Sequence, residues 1–106
     1  MKSRTALIVA AFLAATAGNA QAADTAQGRD LAQKLCVNCH IIEHGGEQDQ
    51  VTVGVPTFMA IANEGEQTKS KLRSFMRHPH PPMPSVELSE HQLDNIVAYI
   101  LSLKDR

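Results

Sequence analysis

The residues with the most distinctive chemistry are Cys36-Val37-Asn38-Cys39-His40. Two thiols three positions apart can each add to one vinyl group of a haem, and an imidazole directly after the second thiol then lies under the iron as its proximal ligand. One pentapeptide thus does both attachment and ligation. Two other readings use the same thiols. A structural disulfide or a redox-active dithiol suits an oxidising compartment, but a reactive pair of that kind opens a helix after a strand, where the helix N-terminus lowers the thiol pKa. Here the pair falls at the end of a predicted helix and no strand pattern precedes it. A zinc site needs four ligands at characteristic spacing, and beyond Cys36 and Cys39 only scattered histidines are on offer. The expectation is one covalent haem c with its iron, held by Cys36, Cys39 and His40.

A sixth iron ligand must then come from far along the chain, from among Met59, Met76, Met83, His44, His78, His80 and His91. Met76 follows Leu72 on one helical stripe, and Met59 belongs to a short helix beside Phe58; both are more simply core fillers. His44 is too near His40 to cross the haem plane easily, and His91 falls on the first turn of the last helix, where exposure is the default. Met83 has no helical periodicity to explain it. It sits between Pro82 and Pro84 in a stiff segment able to lean a thioether against a flat face. Met83 is the expected ligand, and His80, which would give a lower-potential bis-histidine centre, is the alternative.

These residues need elements to position them, and the chain is short: 106 residues, with two Cys, six Gly and five Pro. It is one small domain at most. Lys2 and Arg4 precede the uncharged, small and apolar stretch Thr5 to Ala17, and Ala20-Gln21-Ala22 is a small-x-small cleavage pattern. Residues 1–22 therefore read as a secretory signal peptide, and residues 23–106 as the exported domain. A membrane anchor is the alternative, but the apolar run is short for a span of about 20 residues and ends at Gly18-Asn19. Loss of Lys2 and Arg4 with the leader takes the formal charge from −1 to −3, which gives no reason to expect nucleic-acid binding. The mature aromatics are Phe58, Phe75 and Tyr99, without any Trp. So thin a core is expected to need a staple or filler besides side chains.

Leu31, Ala32 and Leu35 predict a first helix over Thr25 to Asn38. A glycine-containing loop runs from Ile41 to Val55, where alternate Val51, Val53 and Val55 allow one short extended pairing. Pro56 suits the start of a short helix through Asn63, with Phe58, Ile61 and Ala62 inward. A further helix begins near Thr68, groups Leu72, Phe75 and Met76 on one face, and stops at His78 before Pro79. Ser89 and Gln92 form a capping box for a last helix with Leu93, Ile96, Val97, Ile100 and Leu103 on its apolar stripe. The expected fold is all-α, with three to four helices and long loops. Lys69, Lys71, Arg73 and Arg77 oppose Glu43, Glu47 and Asp49; each run is either solvated surface or one pole of a dipolar molecule that docks an acidic partner. Arg73 or Arg77 could instead neutralise a haem propionate.

On these residues the sequence resembles the class I c-type cytochromes across nearly all of the mature chain. Gly28 stands where that family places a glycine letting the first and last helices cross closely, and Tyr99 looks like the aromatic across that crossing. Met83-Pro84 followed by Leu88-Ser89-Glu90 is similar to the family's ligand loop, and Pro56 to the proline whose carbonyl accepts the proximal imidazole N–H, here that of His40. One helical turn after Gly28 the family is usually aromatic; Ala32 stands there, so the crossing must be filled differently. The resemblance implies a periplasmic electron carrier, not an enzyme, that exchanges electrons with redox proteins: a dehydrogenase as donor and an oxidase or reductase as acceptor. Rival readings are a cytochrome subunit of an oxidoreductase complex, a haem sensor with an open sixth position, and a haem-free thiol oxidoreductase.

Overall fold

The structure, a computed structural model, describes residues 11, 22–45 and 53–105. Apart from residues 11 and 22, the expected signal peptide lies outside the described residues, as do Glu47, Asp49 and Val51. Four helices occur in chain order: α1 Thr25–Leu35, α2 Phe58–Ala62, α3 Lys69–Arg77 and α4 Glu90–Ser102. Among the described residues there is no strand; Val53 lies in a turn and Val55 in irregular backbone. No described helix is long and apolar enough to cross a membrane.

The molecule is organised by the contact of α1 with α4, the first helix with the last. Asp24 caps α1 by accepting from the Ala26 and Gln27 amides at 2.9 and 3.1 Å, and its own amide donates to Asn95 Oδ1 on α4 at 2.8 Å. Asn95 is buried, and its Nδ2 donates to Gln27 Oε1 at 3.2 Å, so the one buried polar side chain at the crossing has partners at both ends. Gly28 is the point of closest approach. A Cβ there would overlap the Asn95 carbonyl and come within 2.9 Å of Tyr99 Cβ. Ala32 is fully buried one turn on, and the Phe58 ring packs 6.3 Å from that of Tyr99. The crossing is thus filled by a small α1 residue and an aromatic from α2.

The capping box predicted for α4 is present, Ser89 Oγ accepting from the Gln92 amide and Gln92 Oε1 from the Ser89 amide. Its stripe of Leu93, Ile96, Val97 and Ile100 is buried with Ile42, Phe58, Ala62 and Leu72. Burying each large aliphatic contributes about 1.5–3 kcal/mol.

The observed elements differ from expectation in three places. α1 ends at Leu35 rather than Asn38: Cys36 is its C-cap, and the Cys39 and His40 amides turn back to the Cys36 carbonyl at 3.2 and 2.9 Å. β-Branched Val37 and the turn-former Asn38 favour leaving the helix there. Pro56 lies before α2, not in it, because Thr57 is the N-cap, its Oγ accepting from the Ala60 amide at 3.0 Å. On α3, Leu72 is buried and Met76 packs on the core, but Phe75 is 41% exposed, its ring edge-on to His80 at 5.6 Å. The basic run is also partly spent within the fold. Arg73 bonds Asp94 and Glu90, Arg77 bonds Glu90, and Lys69 Nζ is 3.9 Å from Asp94. Arg73 and Arg77 accordingly neutralise carboxylates of α4, and Glu43 pairs with Arg29 at 2.9 Å.

Candidate functional site

The pentapeptide forms a tight turn leaving α1. Cys36 is half-buried and Cys39 exposed, and both thiols are free. Burial pushes the Cys36 thiol up to about 11, which keeps it protonated near neutrality. A dithiol built for exchange has the opposite property, a depressed thiol pKa at a helix N-terminus. Among the described residues no three His, Cys, Asp or Glu side chains gather into a metal cluster.

His40 follows, and its ring is oriented from behind. Nδ1 lies 2.6 Å from the Pro56 carbonyl oxygen. A carbonyl can only accept, so Nδ1 carries a proton, and the neutral form of the ring offers its lone pair at Nε2. That is the tautomer of a histidine metal ligand, with the distal nitrogen anchored on a backbone carbonyl. The Phe58 ring flanks the imidazole, centroids 5.4 Å apart. The backbone beyond His40 is held as firmly, since the Ile41 carbonyl accepts from the Phe58 amide at 2.9 Å and the Ile42 carbonyl from the Tyr99 hydroxyl at 2.7 Å. Thr57 makes these contacts possible: by capping α2 it leaves Pro56 outside the helix, with its carbonyl free to face His40.

The sixth-ligand candidates are spread over several environments. Met59 and Met76 are partly buried against the core, as core fillers are. His44 and His78 are exposed, and His91 is partly buried at the start of α4. His80 is exposed with its ring against Phe75. Met83 is partly buried in the irregular segment between α3 and α4, its amide donating to the His80 carbonyl at 3.0 Å and its thioether given no role by any helix.

Two contacts were not foreseeable from the residue pattern. Tyr99 is legible as an apolar-stripe neighbour, but its hydroxyl's partner is a backbone carbonyl far away in the chain, which leaves no mark in composition. The Arg29–Glu43 pair beside it bridges α1 and the loop after His40, and only the turn of residues 36–39 brings the two together.

An all-helical frame, a Cys-Val-Asn-Cys-His turn and a carbonyl-anchored imidazole define a small haem-binding domain, and comparison with known proteins places it. Residues 25–104 match the family Cytochrome c, and the chain belongs to that family as a class I c-type cytochrome. It is similar to cytochrome c-552 of Bradyrhizobium diazoefficiens, with 38% identity over 92 residues that cover 87% of this chain and 86% of the relative. No solved structure gives a significant match. Membership brings a covalently bound haem c with iron and a role in electron transfer. The donor set fits that group: two free thiols at the attachment spacing and a histidine whose Nδ1–H is spent on a carbonyl, leaving Nε2 as the nitrogen for a metal.

Proposed function

We propose that the protein is a periplasmic monohaem electron carrier in which Cys36 and Cys39 hold the porphyrin by thioethers and His40 Nε2 and Met83 Sδ are the axial ligands. The haem supplies reversible one-electron exchange at its iron. The residues of the chain keep the ligands in place, so that reorganisation between the two oxidation states stays small. The observation that carries the reading is the 2.6 Å contact of His40 Nδ1 with the Pro56 carbonyl, which leaves the other ring nitrogen for a metal. Partial burial favours Met83 over exposed His80 as the second ligand, and thioether ligation raises the potential, which suits acceptance of electrons from a dehydrogenase. An oxidase or reductase is then the onward partner, and the protein transforms no substrate of its own.

Export with removal of residues 1–22 would leave α1 and its cap whole. Asp24 is already the cap of α1 and is tied to Asn95, so cleavage after Ala22 spares every described contact of the fold. N-terminal sequencing of periplasmic protein is expected to begin at Ala23. The ligation is tested by the ferric protein's far-red sulfur-to-iron band. It is expected to be present, to survive His80→Ala and to vanish in Met83→Ala; loss with His80→Ala alone contradicts the assignment.

A further inference from the structure

The loop carrying His40 is tied down at three consecutive residues, and one tie comes from the far end of the chain. His40 itself reaches Pro56, and Ile41 reaches Phe58, both at the start of short α2. Ile42 reaches Tyr99 on α4 through a 2.7 Å hydroxyl-to-carbonyl bond. Ile42 is 2% exposed and Tyr99 6%, so the bond joins two residues of the core, and a hydrogen bond there is costly to break. Tyr99 also supports the imidazole by a second route, since its ring packs on that of Phe58, and Phe58 packs on His40. On its other side the Tyr99 Cβ lies against Gly28. One side chain therefore links the α1/α4 crossing to the backbone two residues beyond His40.

We infer that Tyr99 is a positioning residue for His40: its hydroxyl, by holding the Ile42 carbonyl, fixes the loop so that the His40–Pro56 hydrogen bond stays short. This rests on the proposal that His40 ligates the iron. A strong hydrogen bond from Nδ1 raises the basicity of the imidazole toward a metal and so favours the ferric state. Without the hydroxyl the loop relaxes, that bond lengthens and the potential rises.

The test uses the haem-loaded protein with Tyr99→Phe, which keeps the ring against Gly28 and Phe58 and removes only the hydroxyl. Leu72→Ala on α3 serves as a destabilised control that trims the same buried core and removes none of these hydrogen bonds. In native ferric protein, NMR first establishes whether the His40 ring protons carry the iron's paramagnetic shift; if they do not, His40 is no ligand and both this inference and the reading it rests on are overturned. With the shift present, Tyr99→Phe is expected to raise the reduction potential and speed exchange of the His40 ring N–H about tenfold, while Leu72→Ala changes neither. A lowered melting temperature in Tyr99→Phe with unchanged potential and unchanged ring exchange overturns the inference alone. Should Tyr99→Phe fail to mature, native-state hydrogen exchange decides. The His40 ring N–H is expected to share the denaturant dependence of the α4 amides near Tyr99, and opening in a smaller event independent of α4 contradicts the tie.

Discussion

The two stretches that present His40 and Met83 are held by different physics. Residues 40–42 bond to Pro56, Phe58 and Tyr99, so two other parts of the fold restrain them. Among the described residues, 79–88 make one backbone hydrogen bond, from Met83 to His80, inside their own segment. Their stiffness is covalent, from Pro79, Pro81, Pro82 and Pro84, each of which fixes φ and gives up a donor. The histidine side is over-determined by tertiary contacts and should move only when the core opens. The methionine side is pre-shaped by its prolines but only lightly attached, and should be able to open alone.

The largest effect is expected from removing the haem. Cys36→Ala with Cys39→Ala leaves a core whose only mature aromatics are Phe58, Phe75 and Tyr99, with Phe75 largely outside it. Such a chain is expected to lose most of its helical circular dichroism. Cooperative thermal unfolding of that variant from holoprotein-like helix content would show that side chains alone suffice. Next is Gly28→Val, which drives a branched side chain into the Asn95 carbonyl and Tyr99; urea unfolding should register a loss of about 3 kcal/mol or more, against about 0.5 kcal/mol for an exposed substitution such as Ser70→Val on α3. Met83→Ala separates the two sides directly. Carbon monoxide should bind the ferrous variant readily while the midpoint of urea unfolding moves only modestly, because the His40 side is untouched; global unfolding would mean that the two sides are not independent.

The smallest effect is a pH dependence on the histidine side. Burial, with Glu43 adding to it, raises the Tyr99 hydroxyl above its ordinary value. A group whose pKa is higher folded than unfolded stabilises the fold fully below the unfolded value, about 10, and that contribution is lost as pH rises through the folded value. Urea unfolding of wild type should therefore weaken above about pH 10 more steeply than that of Tyr99→Phe. Parallel curves would mean that the hydroxyl is not stabilised by burial with Ile42.

Much of this was legible in the residues, for reasons that differ by element. α4 follows from its period and its capping box, both local, and α3 stops where a residue before proline must. The attachment turn is a covalent spacing rule and needs no tertiary context. What escaped was set by distant partners. Helical spacing carries α1 on to Asn38, because it cannot show that the Cys36 carbonyl collects the next turn's amides. Register alone points Phe75 inward, yet α3 buries only Leu72 and leaves that ring against His80. Arg73 and Arg77 looked available for a propionate until α4 brought Glu90 and Asp94 to them. The His40–Pro56 contact was implied by family resemblance, whereas the Tyr99–Ile42 bond had no counterpart in any pattern.

The most direct measurement is the intact mass of protein exported by a host that can mature c-type cytochromes, taken with a pyridine haemochrome spectrum of the same sample. The expected result is the mass of residues 23–106 plus one haem, a haemochrome of the thioether-linked kind, and a haem-bearing fragment containing Cys36 and Cys39. A colourless product with the bare polypeptide mass would contradict it.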